Sequence, residues 1–202
     1  MFTGIIETPG TVDSTFRNES NLTLWIRAPF THELKIDQSI SHNGICLTVT
    51  EIESDKYAVV AVPETIKRTT IGGWEPGLQV NLERGVSGNG RLDGHLVQGH
   101  VDCIGYVDRI ENLGGSFQFY FSYSDPKYVT VEKGSITVNG VSLTVVDSSD
   151  LGFSVAIIPF TYENTTFKDL KRGDAVNLEF DVIGKYVSRY LEKEFSRKNK
   201  GN

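Results

Sequence analysis

The sequence predicts an all-β protein built from two homologous halves, each closing into a small barrel, followed by one carboxyl-terminal α-helix. Three observations predict it. An internal repeat runs collinearly through the chain, strand-length apolar runs alternate with turn residues in both halves, and one amphipathic stripe closes the sequence.

The repeat is the strongest of the three. Asn43-Gly44-Ile45-Cys46-Leu47-Thr48-Val49 reappears as Asn139-Gly140-Val141-Ser142-Leu143-Thr144-Val145. Pro63, Thr65, Thr69 and Thr70 return as Pro159, Thr161, Thr165 and Thr166, and Val80-Asn81-Leu82-Glu83 returns as Val176-Asn177-Leu178-Glu179. All three blocks keep one offset, which chance likeness between short strands does not produce. Nearer the front, Gly4, Gly10 and Val12 pair with Gly99, Gly105 and Val107 after a one-residue slip. The halves join across the Gly/Asn-rich stretch from Gly85 to Gly90. The expected domains are therefore 1–90 and 91–181, with a helical tail over 182–202.

Each half reads as β. Leu22 to Ile26 and Phe117 to Phe121 alternate or run apolar at strand length, as do Lys56 to Val60 and Phe153 to Ile158. Asn43-Gly44, Gly72-Gly73 and Arg172-Gly173-Asp174 punctuate them as turns. Short strands at this spacing suit a small closed barrel. Alternation fails from Pro63 to Thr70 and from Pro159 to Leu170, where short helical turns are expected. In the tail, Ile183, Tyr186, Val187, Tyr190, Leu191 and Phe195 form a helical stripe, with Lys and Arg opposite and in the last turn. A lone amphipathic helix must bury that stripe. It can dock on its own barrel or, as we prefer, pair with the same helix of sister chains.

Composition narrows the function. The 202 residues are 39% hydrophobic and 23% charged, enough for a real core. Lys plus Arg number 20 against 26 Asp plus Glu, a net charge of −6, which argues against a partner tracked by its phosphates, such as nucleic acid. No apolar run approaches the roughly 20 residues of a membrane-spanning helix. The start, Met1-Phe2-Thr3-Gly4, lacks the basic and apolar regions of a signal peptide. Cys46 and Cys103 make neither a disulfide framework nor a zinc site. These features read as a soluble, cytoplasmic protein with no metal.

Five blocks occur in order: Met1 to Glu7, the Asn-Gly-x-Cys-Leu-Thr-Val block at 43–49, Gly94-His95-Leu96-Val97-Gln98-Gly99-His100-Val101-Asp102, the block at 139–145, and Asp181 to Val187. Taken singly each is a weak signal. Together they resemble the riboflavin synthase family along essentially the whole chain. The resemblance implies two tandem six-stranded Greek-key barrels and a carboxyl-terminal helix that organises a homotrimer. It implies dismutation of two molecules of 6,7-dimethyl-8-ribityllumazine into riboflavin and 5-amino-6-ribitylaminouracil, the last step of riboflavin biosynthesis, with no cofactor. Association with a lumazine synthase is left open. The competing reading is a non-catalytic antenna protein that binds lumazine or flavin; such relatives lack the Cys and His positions and the long tail helix.

In that reaction one lumazine loses a proton from its C7 methyl group. The other is activated by addition at C7 before a four-carbon fragment crosses. The differences between the repeats therefore carry the information. Cys46 stands where the second half has Ser142, and a thiol is the better nucleophile. The plain reading of Cys46 is a small buried apolar residue; the resemblance gives it, with Ser39, a role on the acceptor side. Cys103 reads as core. His100 stands where the first half has Ile5, so packing of the repeat needs no histidine there. Imidazole is the usual proton relay, and the resemblance pairs His100 with Thr144. His42, matching Val138, reads as positional and His32 as surface, while His95 lies in a block without a role of its own.

The remaining polar residues read as binding groups. Thr48 and Thr144 suit hydrogen bonds to a pteridine edge or ribityl chain. Thr65 and Thr161, behind Pro63 and Pro159, offer the same chemistry or else cap helices. Gly4-Ile5-Ile6 and Gly99-His100-Val101 bring main chain close to a flat ring. The expected lining also takes in Phe2, Leu47, Val60, Ala61, Val62 and Glu64, and in the second half Leu143, Ala156, Ile157, Ile158 and Phe160. Lys133 and Asp181 match family positions, Asp181 as the group that polarises a hydroxyl or water near Ser39.

Overall fold

Asn-Gly turns set the central hairpin of each half. Asn43 and Gly44 hold φ of 45° and 80°, and Asn139 and Gly140 hold 45° and 81°. A two-residue hairpin needs positive φ at both positions, which Asn and Gly adopt at least cost. In the computed structural model, which describes residues 1–198, these turns join β3 (Ser39–His42) to β4 (Ile45–Glu53) and β9 (Ser135–Val138) to β10 (Val141–Ser149). The remaining strands of the first half are β1 (Thr8–Asn18), β2 (Asn21–Arg27), β5 (Lys56–Ala61) and β6 (Gln79–Arg84). Those of the second are β7 (Cys103–Asn112), β8 (Phe117–Ser122), β11 (Gly152–Ile157) and β12 (Ala175–Phe180).

Each half closes on itself. The first runs β1-β2-β5-β4-β3-β6, and the second has the same cyclic order with its own strands, every pair antiparallel. β2 pairs with β5 across the intervening hairpin, which makes the expected Greek key. Closure removes the sheet edges that an open six-stranded sheet would expose. The first interior is filled by Leu24, Ile26, Ile40, Tyr57, Ile71 and Leu82 among others. The second is richer in aromatic rings, with Phe167 edge-on to Phe119 at 5.1 Å and 87°. Cys103 packs against this second core, as expected for a small apolar residue, and burial pushes its thiol up to about 12.

The helical turns are α1 (Pro63–Arg68) and α2 (Pro159–Asn164), each followed by a 3-10 turn. Proline at the first helical position is pre-set for helical φ. The capping role considered for Thr65 and Thr161 is not found. Val62 and Ile158 occupy the cap positions without side-chain bonds, and each threonine lies inside the first turn. The capping threonines are Thr69 and Thr165, which accept from the Ile71 and Phe167 N–H groups of the 3-10 turns.

A buried asparagine lattice joins the barrels. Asn81 donates from Nδ2 to the Asn139 carbonyl at 2.9 Å and accepts from the Thr166 N–H at 2.8 Å. Asn177 mirrors it on the Asn43 carbonyl and the Thr70 N–H, both at 2.9 Å. The two hairpin turns meet at this seam, where a Cβ on Gly44 would lie 2.9 Å from the Gly140 nitrogen. The tail forms α3 (Val182–Lys198). Its stripe is undocked within one chain, with Ile183, Tyr186 and Phe195 exposed by 64%, 76% and 64%. Among the described residues no helix is long and apolar enough to cross a membrane, and no three His, Cys, Asp or Glu side chains converge on a metal position.

Candidate active site

The site is built where strands part. β4 and β5 pair from Glu53↔Lys56 as far as Val49↔Val59. Beyond that Cys46–Thr48 pair with β3 alone, and Val60 and Ala61 pair with β2 alone. Main-chain groups of the two strands are not paired with one another along this opening, which leaves a polar edge for a flat heterocycle. The second barrel opens likewise beyond Val145↔Val155. Alternation along β4 turns Leu47 inward and Cys46 and Thr48 outward, and β10 does the same with Leu143, Ser142 and Thr144. The side chains of Leu47, Ala61, Leu143 and Ile157 therefore belong to the barrel interiors, and only their main chain is available to a ligand.

Each opening is completed by the other half of the chain. The segment around Gly99 reaches over to the first barrel, where its carbonyl accepts from the Cys46 N–H at 2.8 Å. The segment around Gly4 does the same on the second, accepting from the Ser142 N–H at 2.8 Å. The crossing segments pair with each other through Phe2 and Val97. Gly99 and Gly4 both hold φ of 78°, and a Cβ there would lie 2.6 Å from the Cys46 Cβ or 2.5 Å from the Ser142 Cβ. Only glycine permits this approach. Phe2, fully buried, lies beneath Gly99.

In the first barrel, Cys46, Glu64, Thr65, Gly99, His100 and Val101 line one cleft, all of them residues the sequence pointed to. Arg68, on the same rim, donates to Glu64 at 2.5 Å and holds its carboxyl below the usual range. His100 is exposed. It stands beside Cys46, while Thr144 lies on the other barrel, so the pairing of His100 with Thr144 is not made within this chain. Val62, Pro63, Ile158, Pro159 and Phe160 are exposed on the rims. The cleft holds about 130 Å³, well short of the roughly 300 Å³ or more that encloses an organic ligand.

The second barrel holds a constellation that sequence reasoning missed. His95 lies with Nδ1 2.7 Å from the Ser142 hydroxyl and Nε2 3.1 Å from the Thr137 hydroxyl. Burial pulls this imidazole below its ordinary range, with the Asp181 carboxylate opposing. A neutral imidazole so placed can accept the Ser142 proton. No local pattern ties His95 to Ser142; the signal available was its place in a block that crosses between barrels. The plain readings of the other histidines agree with the structure. His42 is fully buried between the Ile40 carbonyl and the Tyr57 hydroxyl, and the His32 side chain is 74% exposed.

Ser39, Ile5, Asp181 and Lys133 do not line the Cys46 cleft. Ser39 lines a separate 660 Å³ cavity with Ile5, Glu7 and Arg84. Asp181 sits at the base of α3, where it accepts from the Ile183 N–H at 2.9 Å, on the opposite barrel from Ser39. Lys133 forms the turn before β9 with φ of 66°. Ile6 packs against the second core.

The lumazine binding domain family matches residues 3–85 and again 98–181. The riboflavin synthase of Bacillus amyloliquefaciens is 42% identical over 96% of this chain and 91% of its own. That of Actinobacillus pleuropneumoniae is 39% identical over 100% and 95%, and that of Saccharomyces cerevisiae 38% over 98% and 91%. Among solved structures, LumP complexed with riboflavin has a TM-score of 0.82 at 25% identity, covering 90% of this chain and 100% of the other. LumP complexed with 6,7-dimethyl-8-(1'-D-ribityl) lumazine has a TM-score of 0.81 at 24% identity, over 89% and 98%, a likeness of fold alone. Two matched repeats and full-length similarity to these synthases establish that the chain belongs to the riboflavin synthase family of tandem lumazine-binding-domain proteins.

Proposed function

We propose that this chain disproportionates 6,7-dimethyl-8-ribityllumazine, passing a four-carbon unit from one molecule to another and releasing riboflavin and 5-amino-6-ribitylaminouracil. The observation that carries the reading is the unequal pair of half-sites. One shape presents a thiol beside an exposed imidazole, and its twin presents a hydroxyl facing a half-buried imidazole. Two identical substrates that must play different parts need that inequality. The ring lies along the opening between β4 and β5 or between β10 and β11, and the ribityl hydroxyls reach Thr48 and Thr65 or Thr144 and Thr161. On the acceptor molecule, Cys46 adds at C7 or directs water there. His100 removes the C7 methyl proton of the donor molecule.

A cleft of 130 Å³ is half a site. A second barrel facing it would enclose both substrates, bring Thr144 of a neighbouring chain to His100, and likewise bring Ser39 and Asp181 together. The undocked stripe of α3 supplies the contact for that assembly, which we read as a homotrimer. Holding two reactants in one enclosure removes much of the entropic barrier to their meeting.

Incubation with 6,7-dimethyl-8-ribityllumazine and no added cofactor tests the reading. The expected result is one riboflavin for every two lumazines consumed. Tight binding without turnover would make the chain an antenna-type binder and overturn the assignment.

A further inference from the structure

We infer that Glu179 is a positioning residue for His100, acting through the backbone that carries the imidazole. The inference rests on the reading of His100 as the proton-accepting group. Glu179 ends the second copy of the Val-Asn-Leu-Glu block and is 2% exposed on β12. Its carboxylate takes three consecutive backbone donors: Gln98 N–H on Oε1 at 2.7 Å, and Gly99 and His100 N–H on Oε2, both at 2.9 Å. Residues 98–100 belong to no strand. Among the described residues the segment has one further backbone anchor, the Gly99 carbonyl on the Cys46 N–H. The His100 ring has no hydrogen-bond partner of its own among them. Glu179 from one barrel and Cys46 from the other thus fix where the imidazole sits, and they fix it relative to the thiol.

The repeat contains its own control. Glu83, in the first copy of the block, grips the Thr3 N–H at 2.6 Å, the Thr3 hydroxyl at 2.7 Å and the Gly4 N–H at 2.9 Å. The residue that follows there is Ile5, which has no proton chemistry. The two carboxylates hold matching segments, but the Ile5 N–H goes to the Thr3 hydroxyl instead of Glu83, and only the segment held by Glu179 carries an imidazole. Replacing Glu179 by Gln keeps size and burial but turns one acceptor oxygen into a donor that faces an N–H. The segment must shift, and a shift near 1 Å at a reacting group costs up to about 100-fold in rate.

The test is a double-mutant cycle on the full chain, with turnover and lumazine binding measured separately. E179Q is expected to lower kcat by roughly 10- to 100-fold with KM little changed. Added to H100Q, it should cause no further loss, because the group it positions is gone. E83Q and H100Q should instead multiply. Multiplication of the E179Q and H100Q losses, or wild-type kcat in E179Q, would overturn the inference. A second measurement is independent of turnover. The His100 ring resonances should move in E179Q and stay in place in E83Q; unmoved signals in E179Q overturn positioning by Glu179. Wild-type turnover in H100Q alone refutes the proton role of His100, while the ring resonances still decide the role of Glu179. If E179Q does not fold, Glu179→Asp, whose carboxylate is set back by one methylene, carries the same measurements.

Discussion

Asn81→Ala tests the seam that orients the two half-sites. The Asn81 side chain is fully buried and serves the Asn139 carbonyl and the Thr166 N–H. Truncation leaves both unpaired in residues that are 4% and 6% exposed. Each such group costs about 1–3 kcal/mol. The space vacated is about that of one water, which can rescue part of the loss, so the net expectation is about 2–4 kcal/mol. In a chain of this size that lowers the melting temperature by roughly 5–15 °C. The mirror substitution Asn177→Ala exposes the Asn43 carbonyl and the Thr70 N–H, and Thr70 is only half-buried. It should therefore cost less. Thermal unfolding by circular dichroism gives both values, and amide exchange at Thr166 reports the opened bond. A change below 2 °C for Asn81→Ala, or the reverse order of the two variants, would refute the reasoning.

Cys46→Ser should lower turnover by on the order of 100-fold while leaving lumazine affinity nearly intact, because the hydroxyl keeps the shape but not the nucleophilicity; wild-type turnover would remove the thiol from the mechanism. A chain ending at Val182 should sediment as a smaller species that binds lumazine but does not turn it over, and full activity in a proven monomer would contradict the intersubunit site. The acid limb of stability should carry the signature of His42. Burial pulls its pKa from 6.5 to about 4, so on acidification the unfolded chain takes up the proton first. The His42 contribution is intact above about pH 6.5 and is lost as pH falls to 4, a difference of about 3 kcal/mol. His42→Gln should show a shallower loss over that window. Glu83 and Glu179, which burial raises, act in the opposite direction but are common to both proteins. Parallel melting curves against pH would refute the assignment.

Repetition, strand alternation and the Asn-Gly turns are properties of short stretches, and they are enough to determine two closed barrels and a helix from the sequence. Most of the Cys46 cleft was equally legible, because its residues lie in blocks that bear a family pattern. What only the tertiary structure decided are the contacts between stretches far apart in the chain. The crossing of Gly4 and Gly99 onto opposite barrels, the Ser142–His95 pair and the grip of Glu179 on residues 98–100 leave no local period. The same holds for the asparagines: the repeated Val-Asn-Leu-Glu block marks Asn81 and Asn177 as equivalent, but only the packing shows them buried at the seam. A side chain's local context sets the strand and the face it occupies. Which distant backbone donor or carbonyl it meets follows from how the closed barrels pack, since every polar group buried there must find a partner.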